Sequence, residues 1–500
     1  MHNNNLFVVI MKYKSSKENV IMYDVCIIGA GVVGMNIARE LSKYKLKICV
    51  LEKEDDVSCG CSKSNSGIVH GGYSDEPGTL KAELCVKGNR MYEQLENELH
   101  FGYRETGSFV LAFDVAEIPT LEKLYRYGTE NGVGGLKLMD AAETKQYEPY
   151  LSDTVKASLY CKNAGVVSPY EFVIALAENA MVNGVELMLQ HKVEAIEKQG
   201  DGFLIGTNKK NIQARFVINA AGVYSDQIAA LAGDDQYKIT PRRGQYVILD
   251  KDQNYLVNSV IFQVPTKLGK GILVTTTYHG NLMIGPNAEE IDDKDDVGTD
   301  EKTLKYITET ARKSVPGFNM KKSLKSFAGN RPVSNQKDWV IEESRVKGLI
   351  NLVGIDSPGL TSSPAIALKT VSILKEAGLI LEKKLDFKAE RRPIIQKKTA
   401  DFAGVIDSSD PALNIICRCE QVTEAEIIDC LHRGIPVQSV DAVGRRTRAG
   451  YGRCQSAFCG SRMRKLIARE LNISEEEVAE KGKGSSSLAQ RAKRITLTKM

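Results

Sequence analysis

Several things are scarce in this chain, and each scarcity closes off a class of function. No stretch reaches the ~18 apolar residues that a membrane-spanning helix needs. The N-terminal run "LFVVIM" has six residues, too few for a span or for the apolar core of a signal peptide. Charge of one sign is missing: a net charge of +4 over 500 residues offers no general argument for nucleic acid. A disulfide framework is missing too. The eleven cysteines are odd in number, and several lie in strand-like apolar runs such as "VCII" and "ICVLE", where cysteine behaves as a small hydrophobe. That usage suits a reducing compartment, so the protein is expected in the cytoplasm, with any membrane association running through a partner. Internal repeats are absent.

What remains is an ordinary globular composition, 42% hydrophobic and 26% charged, in a chain too long for one core. Residues 1–21 read as an N-terminal extension, because Met22 directly precedes the first strand. The run 22–28, then "GAGVVG", then "MNIARELSKY" at helical spacing, then "KICVLE" spell strand, glycine turn, helix and strand. That is one βαβ unit. The spacing of Leu80, Leu84, Met91, Leu95 and Leu99 predicts one long helix. Strand candidates at "GQYVILD", "GILVTT" and "NLMIGP" mark a mixed unit over about 235–325. The stretch 381–412 is charged and weakly periodic, as a linker is, and the last residues form a basic tail.

Gly29, Gly31 and Gly34 follow a strand and open a helix, so the backbone can approach a pyrophosphate at the helix N-terminus. Glu52 closes the second strand, where a carboxylate accepts ribose hydroxyls and disfavours a 2′-phosphate. The alternative is a structural glycine turn. No second such unit occurs, which argues against an enzyme that itself binds both FAD and a nicotinamide.

The buried strand and small-residue turn of "INAAGVYSDQIA" make a resemblance specific. With "SKSNSGIVHGGY", "TPRRGQY", "GNLMIGP", "FAGNRP" and "GIDSPGLTSSPAIA", the chain resembles the D-amino-acid oxidase superfamily of FAD-dependent oxidoreductases. Across roughly 22–375 it is most similar to the branch of glycerol-3-phosphate dehydrogenases and oxidases and L-2-hydroxyglutarate oxidases. The resemblance implies an α/β fold: a Rossmann-like FAD-binding domain (22–90, 150–232 and 328–380) interleaved with an α+β substrate domain (91–149 and 233–327). It places Ser62, Asn65, Ser66, Gly222, Asp226, Ser357, Gly359, Leu360 and Thr361 around FAD. Cys61 departs from the pattern, where Thr or Ser is expected, and so does Asn330, where an apolar residue is.

Oxidising a secondary alcohol with a flavin needs a base for the hydroxyl proton and a grip on the substrate's anion. His70, which precedes two glycines in the segment this family packs against the flavin, is assigned as base; the alternative is a histidine that only positions flavin or substrate. Arg331 in "GNRP" and Lys270 in "LGKGIL" match the family's substrate-binding cations, and an arginine fork suits phosphate or carboxylate. Arg243 and Tyr73 are further candidates for the substrate. His100, His191 and His432 read as surface residues, and His279 as a possible pocket residue.

Cys417, Cys419, Cys454 and Cys459 are spaced C-x-C, thirty-four residues, then C-x4-C. Zinc ribbons pair C-x2-C with C-x2-C, so the spacing argues against zinc. The pattern is similar to the [2Fe–2S] domain named after bacterioferritin-associated ferredoxin, for which four thiolates are suitable ligands. This unit is expected over 413–470, followed by the tail 471–500. Thr423 and Glu426 form a capping box that starts a helix after the first cysteine pair. Arg445, Arg446, Arg448 and Arg453 crowd the second pair, where cations offset an anionic cluster. Cys430 reads as a core residue.

A flavin takes two electrons and such a cluster carries one, so joining them favours a dehydrogenase over an oxidase. The expected reaction is oxidation of sn-glycerol 3-phosphate to dihydroxyacetone phosphate, with electrons passing to a second redox subunit or a quinone-linked acceptor. The alternatives are an L-2-hydroxyglutarate dehydrogenase or oxidase, or an electron-transfer subunit whose partner binds the substrate. Behind its charged linker, the cysteine unit is expected to dock against another subunit.

Overall fold

In the run Met22–Ile28, Val25 and Ile27 face the helical layer while Cys26 and Ile28 face the core on the other side of the sheet, so this strand is buried on both sides, as a central parallel strand must be. The computed structural model describes residues 22–265, 271–396, 398, 399, 402, 407–482 and 485. The strand pairs in parallel with Ile48–Leu51 on one side (Cys26 opposite Cys49) and with Asn211–Asn219 on the other (Cys26 opposite Val217). Glu186–Met188 extends the sheet beyond Ile48–Leu51, and Leu349–Val353 pairs in parallel with Asn211–Asn219. A meander of Val193–Gln199, Gly202–Thr207 and Asn211–Asn219 forms the other flank. Helices Val32–Leu41, Pro169–Val182 and Gly359–Glu376 pack together over one face, in a core holding Ile27, Met35, Phe172, Ile350 and Ile366.

A second, nine-stranded sheet is built around Ile239–Leu249, which runs antiparallel to Ser323–Ser334 along almost its whole length. Leu273–Thr276 and Leu282–Gly285 join it where the sequence predicts strands. The interleaving occurs as expected, but the crossing points differ. Tyr92–Leu99 packs in the first core, with Tyr92, Leu95, Leu99 and Phe101 buried there, so the second sheet begins after residue 102. It keeps Ala157–Cys161, paired with Ser108–Ala112, and it keeps Ser323–Ser334 to its end. The single helix expected over 79–99 is two, Leu80–Asn89 and Tyr92–Leu99. At the break, the Asn89 side chain is spent on the carbonyls of His70 and Asn163.

The C-terminal unit has its own core, including Val422, Ile427, Val443, Met463 and Ile467. Around it lie a short ladder (Ile415–Cys417 with Val422–Thr423) and helices Glu424–Leu431, Val440–Thr447 and Gly460–Leu471. The capping box closes as predicted: Glu426 N donates to Thr423 Oγ1 (3.3 Å) and Thr423 N to the Glu426 carboxylate (2.9 Å). Cys430 is core. The unit runs past 470, since Val478 is buried in the same core and Ala479 bridges to Ser439. The expected linker is not a free tether over 381–396. Asn179 and Asn183 donate to its carbonyls at 388 and 389, and Ile394 is buried in the module's core. Among the described residues no helix is long and apolar enough to cross a membrane.

Candidate active site and cysteine module

The βαβ turn folds as its glycines require. Gly29 has φ +108°, and a Cβ there would sit 2.5 Å from the Ala220 carbonyl oxygen. Gly34 packs against the Gly29 carbonyl, so any side chain would overlap it. Glu52 accepts hydrogen bonds from Ala30 N (2.8 Å) and Glu54 N (3.0 Å). Burial raises its pKa, and those two bonds oppose the rise. Val32 N, at the start of the helix, donates to Ser62 Oγ (2.9 Å).

These groups line one long cavity of about 1450 Å³, walled by residues from both sheets. Of the residues assigned to FAD, Gly29, Gly31, Glu52, Ser62, Asn65, Ser66, Gly222, Ser357, Gly359 and Leu360 reach its wall. Gly34, Asp226 and Thr361 do not, and each has another task. Asp226 is bound to Lys294 (2.5 Å) and Ile239 N (2.9 Å). The Thr361 hydroxyl accepts from His70 N (2.9 Å) and donates to the Ile68 carbonyl (3.2 Å), which sets the backbone at His70.

His70 and Arg331 both line the cavity. The His70 ring stacks on Phe262, 5.8 Å between centroids. Arg331 donates to three backbone carbonyls, Asn287 (2.6 Å), Arg242 (3.3 Å) and Arg243 (3.4 Å), and has no carboxylate partner among the described residues. Carbonyls orient the fork without cancelling its charge. Nearby Cys61 has its thiol pKa pushed up to about 11 by burial, against the pull of Arg331. Arg243 is not brought to the cavity; its guanidinium is held by Asp296 (2.6 Å) and Glu289 (3.0 Å). Tyr73 is buried with its hydroxyl on Ser108 (3.1 Å), away from the wall. Lys270 lies outside the described residues.

Sequence reasoning missed several wall residues. Tyr246 lines the wall, its hydroxyl pKa raised by burial against the pull of Arg331 and Ser66, and its place inside the quoted motif "TPRRGQY" was the available signal. Lys81, paired with Asp356 (2.7 Å), and His191, bonded to the Leu189 carbonyl (2.8 Å), have no motif at all. His279 sits elsewhere, against Glu171 (2.5 Å).

The four module cysteines come together in pairs. Cys419 and Cys454 Sγ are 3.9 Å apart, and the Cys417 and Cys459 thiols lie close enough to act on one another's titration. The neighbouring Cys459 thiol lowers the Cys417 pKa against its burial, while Cys459 is raised. Among the described residues no three Cys, His, Asp or Glu side chains converge as a site for one metal ion. Two thiol pairs are instead what a two-iron cluster with two thiolates per iron asks for, so the donor set fits.

Of the four arginines, Arg453 stays within electrostatic reach of a candidate ligand thiol, Cys419, as expected; the other three turn to other partners. Arg445 and Arg446 bind Asp56, Arg448 binds Tyr170 and Glu420, and Arg453 binds Asp250. Two of these partners explain the choice: a buried guanidinium is stable only when a carboxylate meets it. On this side the module packs against its own chain, on the Asp56 segment and Tyr170 of the nucleotide-binding domain and on Asp250, Lys251 and Asn281 of the second-sheet domain.

A family model described as FAD dependent oxidoreductase matches residues 24–373. One described as BFD-like [2Fe-2S] binding domain matches residues 415–469. The chain is similar to a glycerol 3-phosphate dehydrogenase of Caloramator mitchellensis, 46% identical over 468 residues, 93% of this chain and 98% of the relative. It is similar to a glycerol 3-phosphate oxidase of Mycoplasma genitalium, 34% identical over 73% of this chain and 97% of the relative. Its likeness to L-2-hydroxyglutarate dehydrogenase of Bos taurus is 32% over 53% of this chain and 61% of the relative. Among solved structures, dithionite-reduced L-α-glycerophosphate oxidase from Mycoplasma pneumoniae with FAD bound matches at TM-score 0.71 and 31% identity, covering 74% of this chain and 98% of that one. The chain belongs to the FAD dependent oxidoreductase family, and it carries a BFD-like [2Fe–2S] binding domain behind the flavin-binding fold.

Proposed function

We propose that this chain oxidises the secondary hydroxyl of sn-glycerol 3-phosphate to the ketone of dihydroxyacetone phosphate. One observation carries the reading: the uncancelled Arg331 guanidinium and the His70 imidazole line one cavity, in a chain 46% identical over 93% of its length to a glycerol 3-phosphate dehydrogenase. Arg331, oriented by its three carbonyls, holds the phosphate by charge-assisted hydrogen bonds. Lys270 is the second cation of that grip. His70 takes the hydroxyl proton, its backbone placed by Thr361 and Asn89. Bound FAD supplies the two-electron acceptor for the hydrogen lost from carbon. The four cysteines would hold the next carrier, a [2Fe–2S] cluster supplying one-electron chemistry. Cys419 is exposed and Phe458, beside Cys459, is 81% exposed, so a second redox protein or a quinone-linked acceptor can approach that side of the module.

The test is anaerobic addition of sn-glycerol 3-phosphate and, separately, L-2-hydroxyglutarate to the purified holoprotein. We expect flavin absorbance to bleach with the phosphate alone. Bleaching only by the hydroxy acid would replace the substrate and keep the chemistry. If neither bleaches it, the chain is an electron-transfer subunit serving a partner's substrate site, or it oxidises a different hydroxy substrate.

A further inference from the structure

The surface between the module and the flavin domain is built from buried charges that neither the substrate site nor the thiol pairs use. Asp56 is 2% exposed and Arg446 1%. The Asp56 carboxylate accepts from Arg445 Nη2 (2.7 Å) and from Arg446 Nη1 and Nη2 (2.7 and 2.8 Å). Arg445 Nη1 also donates to the Val57 carbonyl (2.8 Å). A second anchor joins Arg448 to the Tyr170 hydroxyl (2.7 Å) and Asn281 Oδ1 (3.3 Å), and a third joins Lys251 to Glu420 (2.9 Å), the neighbour of Cys419. The Asp56 loop continues into Cys59, Cys61 and Ser62, which line the flavin cavity. One short segment therefore touches the module with one end and the cofactor cavity with the other.

A buried guanidinium and a buried carboxylate are each costly alone and compatible only together. Undocking the module would leave two arginines and Asp56 without these partners. We infer that the module is a built-in redox partner, docked in cis against the flavin and substrate domains of its own chain, with Asp56 as the positioning residue. Transfer between the two centres then takes place within one chain. This rests on the relay in the proposed function. Bound FAD would give up its two electrons one at a time, the first to the cluster held by the four cysteines. The second follows after the cluster has passed its electron to an outside one-electron acceptor.

The test uses the holoprotein with its flavin photoreduced anaerobically, without substrate, so that it stands apart from the substrate's identity. Cluster reduction is followed by absorbance and electron paramagnetic resonance over a wide range of protein concentration. We expect a rate that does not change with concentration. In Asp56→Asn we expect cluster reduction to slow by roughly tenfold or more, because losing one member of a buried ion pair shifts a docking equilibrium by factors of ten. Substrate-driven flavin bleaching should be unchanged in that variant. A structural readout accompanies it: after cleavage at a protease site introduced within the exposed residues 407–410, the module should stay bound on a sizing column, and dissociate more readily in Asp56→Asn. A rate proportional to protein concentration, or a nicked module that falls away in the wild-type chain, overturns the inference. A photoreduced flavin that never reduces the cluster overturns it together with the relay. Failure of substrate to bleach the flavin, with photoreduction still giving a concentration-independent rate, overturns only the substrate.

Discussion

Arg331 and Arg243 belong to neighbouring strands, yet only one of them faces the cavity. Antiparallel pairing sets Arg331 directly opposite Arg242 and Arg243 opposite Asn330. Directly opposed residues share a face and successive residues alternate, so Arg242 and Arg331 point to the cavity and Arg243 to the Glu289 and Asp296 side. The sequence "TPRRGQY" offers both arginines equally; only the register separates them. The variants should separate them too. We expect Arg331→Met to lower kcat/KM for the phosphate substrate by about 10- to 100-fold, from the loss of about 1.5–3 kcal/mol of charged hydrogen bonding. Arg243→Met should leave KM near wild type. We expect His70→Asn to lose about 10²- to 10⁴-fold in kcat, the usual share of a proton-transfer group. Steady-state assays with an artificial acceptor measure all three, and equal losses in Arg243→Met and Arg331→Met would sink the assignment.

At the scale of elements, the glycine turn and its helix were legible because glycine spacing there is a steric demand. Gly34→Ala would place a methyl group on the Gly29 carbonyl. We expect such a protein to purify with a markedly lower flavin-to-protein ratio, read from the absorbance spectrum, and full loading would show that the turn can yield. The capping box was legible for a similar reason, since its partners are three residues apart in the chain. The long helix over 79–99 was not. Its apolar spacing continues across residues 89–91, and the break comes from contacts of Asn89 with His70 and Asn163, which no local pattern announces.

The whole molecule is held together by charge as well as by its separate cores. The Asp56 carboxyl pays desolvation for its burial, yet Arg446 and then Arg445 hold its pKa below the usual value. A lowered folded pKa means that this contribution is present above the unfolded value of about 3.9 and is lost as pH falls through the folded one. We expect module docking, followed by sizing of the nicked protein, to be insensitive to pH between about 5 and 8 and to fail below about 4. Dissociation beginning near neutrality would point to a different group. Asp56→Asn should cost about 3–5 kcal/mol, the range for breaking a buried pair, seen as an earlier melting step for the module.

Local spacing alone determined the nucleotide turn and the capped helix, because each depends on residues a few positions apart; the cysteine pattern pointed to a cluster-binding unit through its resemblance to a family. Tertiary structure decided the rest. Which arginine meets the substrate depends on the register between strands some ninety residues apart. Whether the arginines of the cysteine segment serve the cluster or the docking depends on Asp56, nearly four hundred residues away. Charge in a sequence has no address until folding buries it, and burial then forces each guanidinium onto the nearest carboxylate that can share its site.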